Sequence, residues 1–407
     1  MTIPRGIRID VPRAKELQQF CATNQHQCKH KLIELGFKNI DMSPRKRVGR
    51  DSLIEYFTRK KLIHLFPVTK GEEPSFKKEN IEALDEIDPA CIPLVTLEKM
   101  LRVVDDPFYA GRLCNKEGRV TCNINPLGAD TGRDTSSKPN IIGLGKKFRP
   151  LVIAGEGNGL AELDFEQQEP LIIAHLANDV KMMDAYREGD IYKGMAARLF
   201  GKDQSDIQFK KNRSLCKVLT LGILYGMGEN LISLKTGKPT SEITCLLLEF
   251  DQAYPNILWW RKSQPVFLEQ RGYVETAGGL RRYRGKSGPL NGWEKRWAVN
   301  TPVQGSAGDI LKIALLISER RLADIGARVI LPVYDAVLLE SPMGVYEDAI
   351  AIVKDAMIKA FQHFFPGALP RVDINSKYPG YWNKQSSLDS FGKDSLDRFF
   401  EDPLMPI

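Results

Sequence analysis

Along residues 8–38 the apolar positions of ELQQFCATNQHQCKHKLIELGF recur at helical spacing and predict a helix. Residues 43–80 are strongly basic and broken by Pro and Gly, which predicts short helices joined by loops. PLVTLEKMLRV (94–104) predicts a further amphipathic helix. From 118 to 150 Gly, Asn, Pro and Thr dominate, so turns and short strands are expected. LAELDF (160–165) reads as a strand, and a long helix interrupted near Gly189 should follow it. Helices are expected over 208–228 and 291–322, and a pair of strands over 327–340. No repeat runs through this body. Residues 385–407 change character: Ser, Asp and Phe appear in a short duplication, SLDSF then SLDRF, that reads as an appended tail.

Composition narrows the picture. The chain has 407 residues, 43% hydrophobic and 27% charged, an ordinary globular balance that excludes a disordered protein. Its formal charge of +7 permits nucleic-acid binding without requiring it. Seven cysteines at irregular spacings argue for free thiols in a reducing compartment rather than a disulfide scaffold. Cys21, His26, Cys28 and His30 fit no zinc-finger spacing and are read as a helix surface. No stretch approaches the roughly 20 apolar residues of a membrane span, and the N-terminus has no signal-peptide core. A soluble, intracellular protein without a membrane partner is expected.

Two carboxylates stand out. Asp164 ends the strand AELDF, and Asp335 interrupts the apolar run VILPVYDAVLLE between two strands. A buried unpaired carboxylate is costly, so Asp335 must pair, neutralise, bind a metal or reach a turn. Two carboxylates on adjoining strand ends can hold two divalent ions, and Mg²⁺ favours one or two protein carboxylates plus substrate phosphates. Taken singly, each is more often a turn or capping residue. Between them, Arg213, Lys217, Leu221 and Tyr225 recur every four residues in RSLCKVLTLGILYG and share one helix face, drifting about 40° per step. Such a face offers two cations to a polyphosphate and a ring beyond them; a core helix with solvated basic residues at its start is the alternative. Arg296, Asn300 and Gln304 repeat the spacing in RWAVNTPVQG and can donate to minor-groove acceptors.

Taken in order, these stretches resemble family A DNA polymerases, the bacterial DNA polymerase I family. Asp164-Phe-Glu-Gln-Gln-Glu169 matches the family's first palm motif, Arg213 through Gly226 its fingers helix, and Val333-Tyr-Asp335 the motif carrying the second catalytic aspartate. Thr131-Gly-Arg133 followed by Lys-Pro-Asn140, and the YPNILWW and RGYVETAGGLRRY segments, extend the similarity, which runs from about 8 to about 384. The resemblance implies an α+β, right-hand architecture. A compact helical thumb would span 1–105, palm 106–177 and 289–384, and fingers 178–288, with 385–407 as the tail. It leaves no room for a 3′–5′ exonuclease, so no proofreading is expected.

The resemblance also implies roles. Asp164 and Asp335 would bind two Mg²⁺ ions, for which Mn²⁺ can substitute, with the Phe165 carbonyl as a backbone ligand. Arg213 and Lys217 would hold the triphosphate of an incoming dNTP, Lys217 also protonating the leaving pyrophosphate. Tyr225 would stack near the templating position, Glu169 would exclude ribonucleotides, and Gln167 and Tyr192 would lie by the nucleotide. Arg133, Arg296, Asn300, Gln304 and Tyr334 would face primer–template DNA. Several positions depart from the family pattern. Tyr334 replaces His, Ala336 replaces the Glu after the aspartate, and Leu221 replaces Phe or Tyr, which implies altered discrimination against dideoxynucleotides. Phe165 replaces Tyr, Pro170-Leu171 replaces Leu-Arg, and Tyr192 stands where His is common.

The competing readings are a single-subunit RNA polymerase, which Glu169 argues against, and a non-catalytic DNA-binding relative, which the retained Asp164, Asp335, Arg213 and Lys217 argue against. QSSLDSF (385–391) and KDSLDRFF (393–400) resemble sliding-clamp-binding peptides; a tail that packs on the palm or stays disordered is the alternative. A cytoplasmic, nucleoid-associated location is expected, and the lack of an exonuclease suggests, by analogy, a bacterial, viral or mobile-element source.

Overall fold

Helix starts in this chain are written by capping residues. Asp10, Asp179, Asp190, Ser205 and Asn291 each precede a helix and accept a hydrogen bond from its first turn. The computed structural model describes residues 6–38, 40, 48–66, 73–76, 80–81, 84, 88–106, 108–201, 205–376, 380–382 and 395–401. In chain order its elements begin with β1 (Ile7–Ile9), α1 (Val11–Glu34), α2 (Arg50–Arg59), α3 (Cys91–Asp105), β2 (Arg119–Val120), β3 (Asn123–Asn125), β4 (Thr135–Ser137), β5 (Val152–Ile153) and β6 (Asn158–Phe165). Helices α4 (Gln168–Leu176), α5 (Val180–Arg187), α6 (Ile191–Phe200), α7 (Asp206–Leu224), α8 (Glu229–Thr236), α9 (Thr240–Ala253) and α10 (Pro255–Arg271) follow. The chain continues through β7 (Tyr273–Glu275), β8 (Arg281–Tyr283), α11 (Gly292–Ala323), β9 (Arg328–Val333), β10 (Ala336–Pro342), α12 (Tyr346–Phe364), β11 (Val372–Ser376) and α13 (Ser395–Glu401). The class is α+β.

The chain divides into two units. The first holds Cys122–Gly143 and Gly155–Pro379. Its centre is an antiparallel sheet of order β11-β6-β10-β9. Ala161, Leu163 and Phe165 of β6 and Val337 and Leu339 of β10 join one core with Ile310, Leu311 and Ala314 of α11 and Val353 and Met357 of α12. The opposite strand positions are also largely buried, so β6 and β10 are covered on both faces along most of their length. Glu340 is buried but satisfied: it accepts from Arg328 Nη2 at 2.7 Å and from the Gly155 amide at 2.8 Å.

The second unit holds Pro4–Thr121, Leu144–Ala154 and Gly380–Ile407. Residues 106–121 and 144–154, expected in the first palm segment, group here. A small sheet of order β2-β1-β5 lies with α1 packed along α3. Cys21 and Cys28 are on the buried face of α1, Cys28 Sγ 3.9 Å from Met100 Sδ, and burial pushes both thiols up to about 12. Tyr56 stacks on Phe37 at 4.1 Å and donates to Asp88 Oδ1 at 2.7 Å.

Several elements differ from expectation. Residues 7–9 form a strand before α1 starts. The long helix after β6 is three helices: besides the break at Gly189, Asn178 takes a left-handed φ of 50° and Asp179 caps a new start. The helix expected to reach 228 ends at Leu224, because Gly226 adopts φ +63° and Tyr225 closes the last turn. Of the basic 43–80 stretch, the described part contains α2 and one 3₁₀ turn. The first tail repeat, 385–391, lies outside the described residues. The second forms α13, whose Phe399 is buried against Phe20 and Phe148. Phe399 thus joins the unit's own core, while Phe400 is half-buried.

Candidate active site

A two-residue turn, Tyr334–Asp335, joins β9 to β10, with Val333 paired to Ala336. Positive φ at its first position alone is the pattern of a type II′ hairpin, which normally places Gly there. Tyr334 takes φ +60° and is 50% exposed. Holding a bulky residue there costs on the order of 1–3 kcal/mol. The result is that Asp335 stands at the tip of the hairpin beside β6, where Ala336 pairs with Asp164 and the Phe165 amide approaches the Asp335 carbonyl at 3.4 Å. Two aspartates 171 positions apart thus meet on adjoining strand ends.

Both line one cavity of about 490 Å³. Phe165, Gln167 and Glu169 contribute from β6 and the start of α4. Tyr192 contributes from α6, and Arg213, Lys217, Leu221 and Tyr225 from α7 and its end. The structure therefore brings together every expected nucleotide-binding residue. The expected DNA-facing residues lie outside this cavity lining. Arg133 Nη2 donates to Glu169 Oε1, the Tyr225 hydroxyl donates to Glu169 Oε2, and Gln304 hydrogen-bonds Tyr225. Glu169 is only 8% exposed, so its charge is met by these donors rather than by water. Burial and the Glu169 carboxylate push the Tyr225 phenol up, which keeps it a proton donor. Arg296 lies against Gly226, where a Cβ would meet its Cγ at 2.9 Å. Asn300 keeps a buried Oδ1 with no partner among the described residues.

Local contacts hold the site's charges. Arg213 donates to Asp190 Oδ2 from Nε at 2.7 Å and Nη2 at 2.6 Å, and its guanidinium sits 5.7 Å over the Tyr192 ring. The other oxygen of Asp190 caps α6 through the Tyr192 and Lys193 amides. Lys217, one turn along, is exposed. Gln167 has a second task, since its Oε1 accepts from the Ile191 amide at 2.9 Å. Burial pushes Asp335 above the ordinary carboxylate range, the nearby Arg133 opposing it.

Sequence reasoning missed Glu166, Gln168, Asp190, Asp373 and Asn375, all of which line the cavity. Asp190 had a signal: Gly-Asp before an apolar helix marks an N-cap. Asp373 and Asn375 alternate with Val372 and Ile374, a strand pattern too short to be noticed. Asp373 pairs with Asp164 across the strands. Burial pushes Asp373 up, and so does its hydrogen bond to Glu166. Burial alone would raise Glu166 too, but Asp373 and Arg371 together hold it below the usual range. Gln168 is 2% exposed, and neither amide atom has a partner among the described residues.

The donor set suits a hard divalent cation. Asp164 and Asp335 are among the carboxylates that line the open cavity, and among the described residues no group of three or more His, Cys, Asp or Glu is placed to enclose a metal. That matches an ion such as Mg²⁺, which keeps water and substrate oxygens, and not a closed Cys/His zinc site. Among the described residues no helix is long and apolar enough to cross a membrane.

Comparison with known proteins agrees with this geometry. A family model described as DNA polymerase family A matches residues 12–375. A thermostable DNA polymerase I of Thermus thermophilus is 30% identical over 372 residues, covering 88% of this chain and 44% of that protein. DNA polymerase I of Deinococcus radiodurans is 32% identical over 305 residues, covering 71% and 32%. The chain thus spans less than half the length of these curated relatives. A solved structure described as the POL domain of Pol1 from M. smegmatis, in complex with DNA primer-template and dNTP, has the same fold, with TM-score 0.75, 23% identity and coverage of 92% of this chain and 67% of that one. With a match running through both aspartates and the cationic helix between them, the chain belongs to DNA polymerase family A.

Proposed function

We propose that the chain is a template-directed DNA polymerase that adds dNTPs to a primer 3′-hydroxyl. The reading is carried by one observation: Asp164 and Asp335 share a cavity with Arg213 and Lys217. The relatives named DNA polymerase I, and the neighbour bound to primer-template and dNTP, support it.

Asp164, Asp335 and the Phe165 carbonyl would hold two Mg²⁺ ions, with Mn²⁺ as a substitute. Held there, such ions would supply Lewis-acid stabilisation of the attacking and leaving oxygens. Arg213 leaves Asp190 to bind the triphosphate, an exchange of one charge-assisted partner for another. Lys217, exposed and one turn away, donates its proton to the pyrophosphate, a contact strongest in the transition state. Glu169 closes the space beside the sugar and disfavours a 2′-hydroxyl. Tyr225, Gln167 and Tyr192 frame the nucleotide, and Arg133, Arg296, Asn300, Gln304 and Tyr334 face primer–template. In this reading residues 1–105 act as thumb, 106–177 and 289–384 as palm, and 178–288 as fingers.

The test is primer extension by the purified chain with Mg²⁺, supplying dNTPs or rNTPs on a defined template. Templated extension that strongly prefers dNTPs is expected. No extension, or a preference for rNTPs, sinks the proposal.

A further inference from the structure

The hydrogen bond that fixes one oxygen of Asp164 comes from the last strand of the sheet. Asn375 Nδ2 donates to Asp164 Oδ2 at 2.8 Å across 211 positions of sequence. Strand β11 pairs regularly with β6 as far as Ile374 opposite Leu163, but the next partnered residue is Ser376, opposite Glu162. Asn375 is therefore the extra residue of a β-bulge, held between the levels of Leu163 and Glu162 and half a step nearer to Asp164 than regular pairing would place it. Bulges re-aim side chains in this way beside active sites.

Two neighbouring positions are engaged elsewhere or carry no donor. Asp373, directly opposite Asp164, turns its carboxyl to Glu166. Position 336, next to the other aspartate, is alanine and has no polar side chain to offer. An amide also suits the task chemically. It is a neutral donor, so it fixes the carboxylate's rotamer without cancelling the charge a cation needs, as Lys or Arg would.

We propose that Asn375 is a positioning residue that holds the Asp164 carboxylate in the orientation required for divalent-cation binding. The proposal rests on the reading of Asp164 as a metal-binding, catalytic carboxylate. Its effect falls on metal affinity and on kcat, because Asn375 acts through Asp164 and not through the nucleotide.

The test compares wild type with Asn375→Leu, a near-isosteric change that removes the donor. Mn²⁺ binding to the protein without DNA or nucleotide is followed by electron paramagnetic resonance of the free ion, and single-nucleotide addition is timed at saturating dNTP. The expected result is about tenfold weaker Mn²⁺ binding and about tenfold lower kcat, with the dNTP KM unchanged, as for the loss of one hydrogen bond to a charged group. Asn375→Gln, which keeps the amide, recovers part of both. Asn375→Ala carries the same expectation if the Leu variant folds poorly. Wild-type Mn²⁺ binding and kcat in a folded Leu or Ala variant overturn the proposal, and so does a loss confined to the melting temperature. Asp164→Ala, run alongside, separates the two readings: if it keeps Mn²⁺ binding and extension, the assignment of Asp164 itself is wrong.

Discussion

Asp164 and Asp335 stand on a sheet whose register dictates where they are, whereas Arg213 and Lys217 stand on a helix face that solvent reaches. The sheet side is fixed by pairing along β6, β10 and β11 and by a core packed beneath it. On the helix side Arg213 is held by side chains, Asp190 and the Tyr192 ring, and Lys217 is exposed. On the proposed reading, the difference follows from what each side would do. Carboxylates that share a cation need fixed geometry, since small displacements cost coordination. Cations that receive a polyphosphate need to be released when it arrives, and an ion pair at a half-exposed site is easily exchanged.

The sharpest way to break this contrast is to remove one group from each side. Asp335→Ala should lower single-turnover primer extension about 10³-fold or more, with an unchanged circular-dichroism spectrum. Lys217→Ala should lower it by about 10²-fold, the scale of one lost transition-state donor. Equal losses from the two substitutions would erase the distinction between preorganised and exchangeable sides. Next in size is the ion pair. Asp190→Asn still caps α6 but frees Arg213, so equilibrium dNTP binding to the primer–template complex should tighten about threefold. Weaker binding would mean that Asp190 aims Arg213 rather than restrains it.

Two smaller effects concern stability. Gln168→Met replaces a buried amide without partners among the described residues by an apolar side chain of similar shape, and should raise the unfolding free energy in urea by about 1 kcal/mol. A loss of stability would show that the amide is satisfied after all. On the core side of α4, burial holds His175 below the usual imidazole range, with Arg187 adding to the effect. A depressed basic group takes up its proton more readily when unfolded. Its contribution is therefore complete above the unfolded pKa and is lost as pH falls through the folded value. Melting temperatures should decline on acidification from pH 7 to pH 5, and less steeply in His175→Phe. Equal slopes would remove His175 as the cause.

Much of the site is legible in local pattern. Arg213, Lys217, Leu221 and Tyr225 face one cavity because four-residue spacing keeps them on one side of α7. Asp335 sits in an apolar run because a two-residue turn leaves β9 and β10 buried on either side of it. The pattern after β6 overstates the helix because Asn and Asp interrupt it at 178–179 without the Gly that marks the break at 189. Glu166, Gln168, Asp373 and Asn375 escape notice because nothing in their local sequence distinguishes a cavity-lining polar residue from a solvated one.

Most of the helices, the helix caps, the shared face of the cationic helix and the aspartate at a hairpin tip are written in the chain, because each depends on contacts within a few residues. Long-range packing is what sets β11 beside β6, so that Asn375 reaches Asp164. The same packing places Asp190 under Arg213, and Arg133, Glu169 and Tyr225 in one network. Periodicity records which face of an element is buried. It holds no information on which strand is the neighbour or in what register, and that is where these partners are chosen.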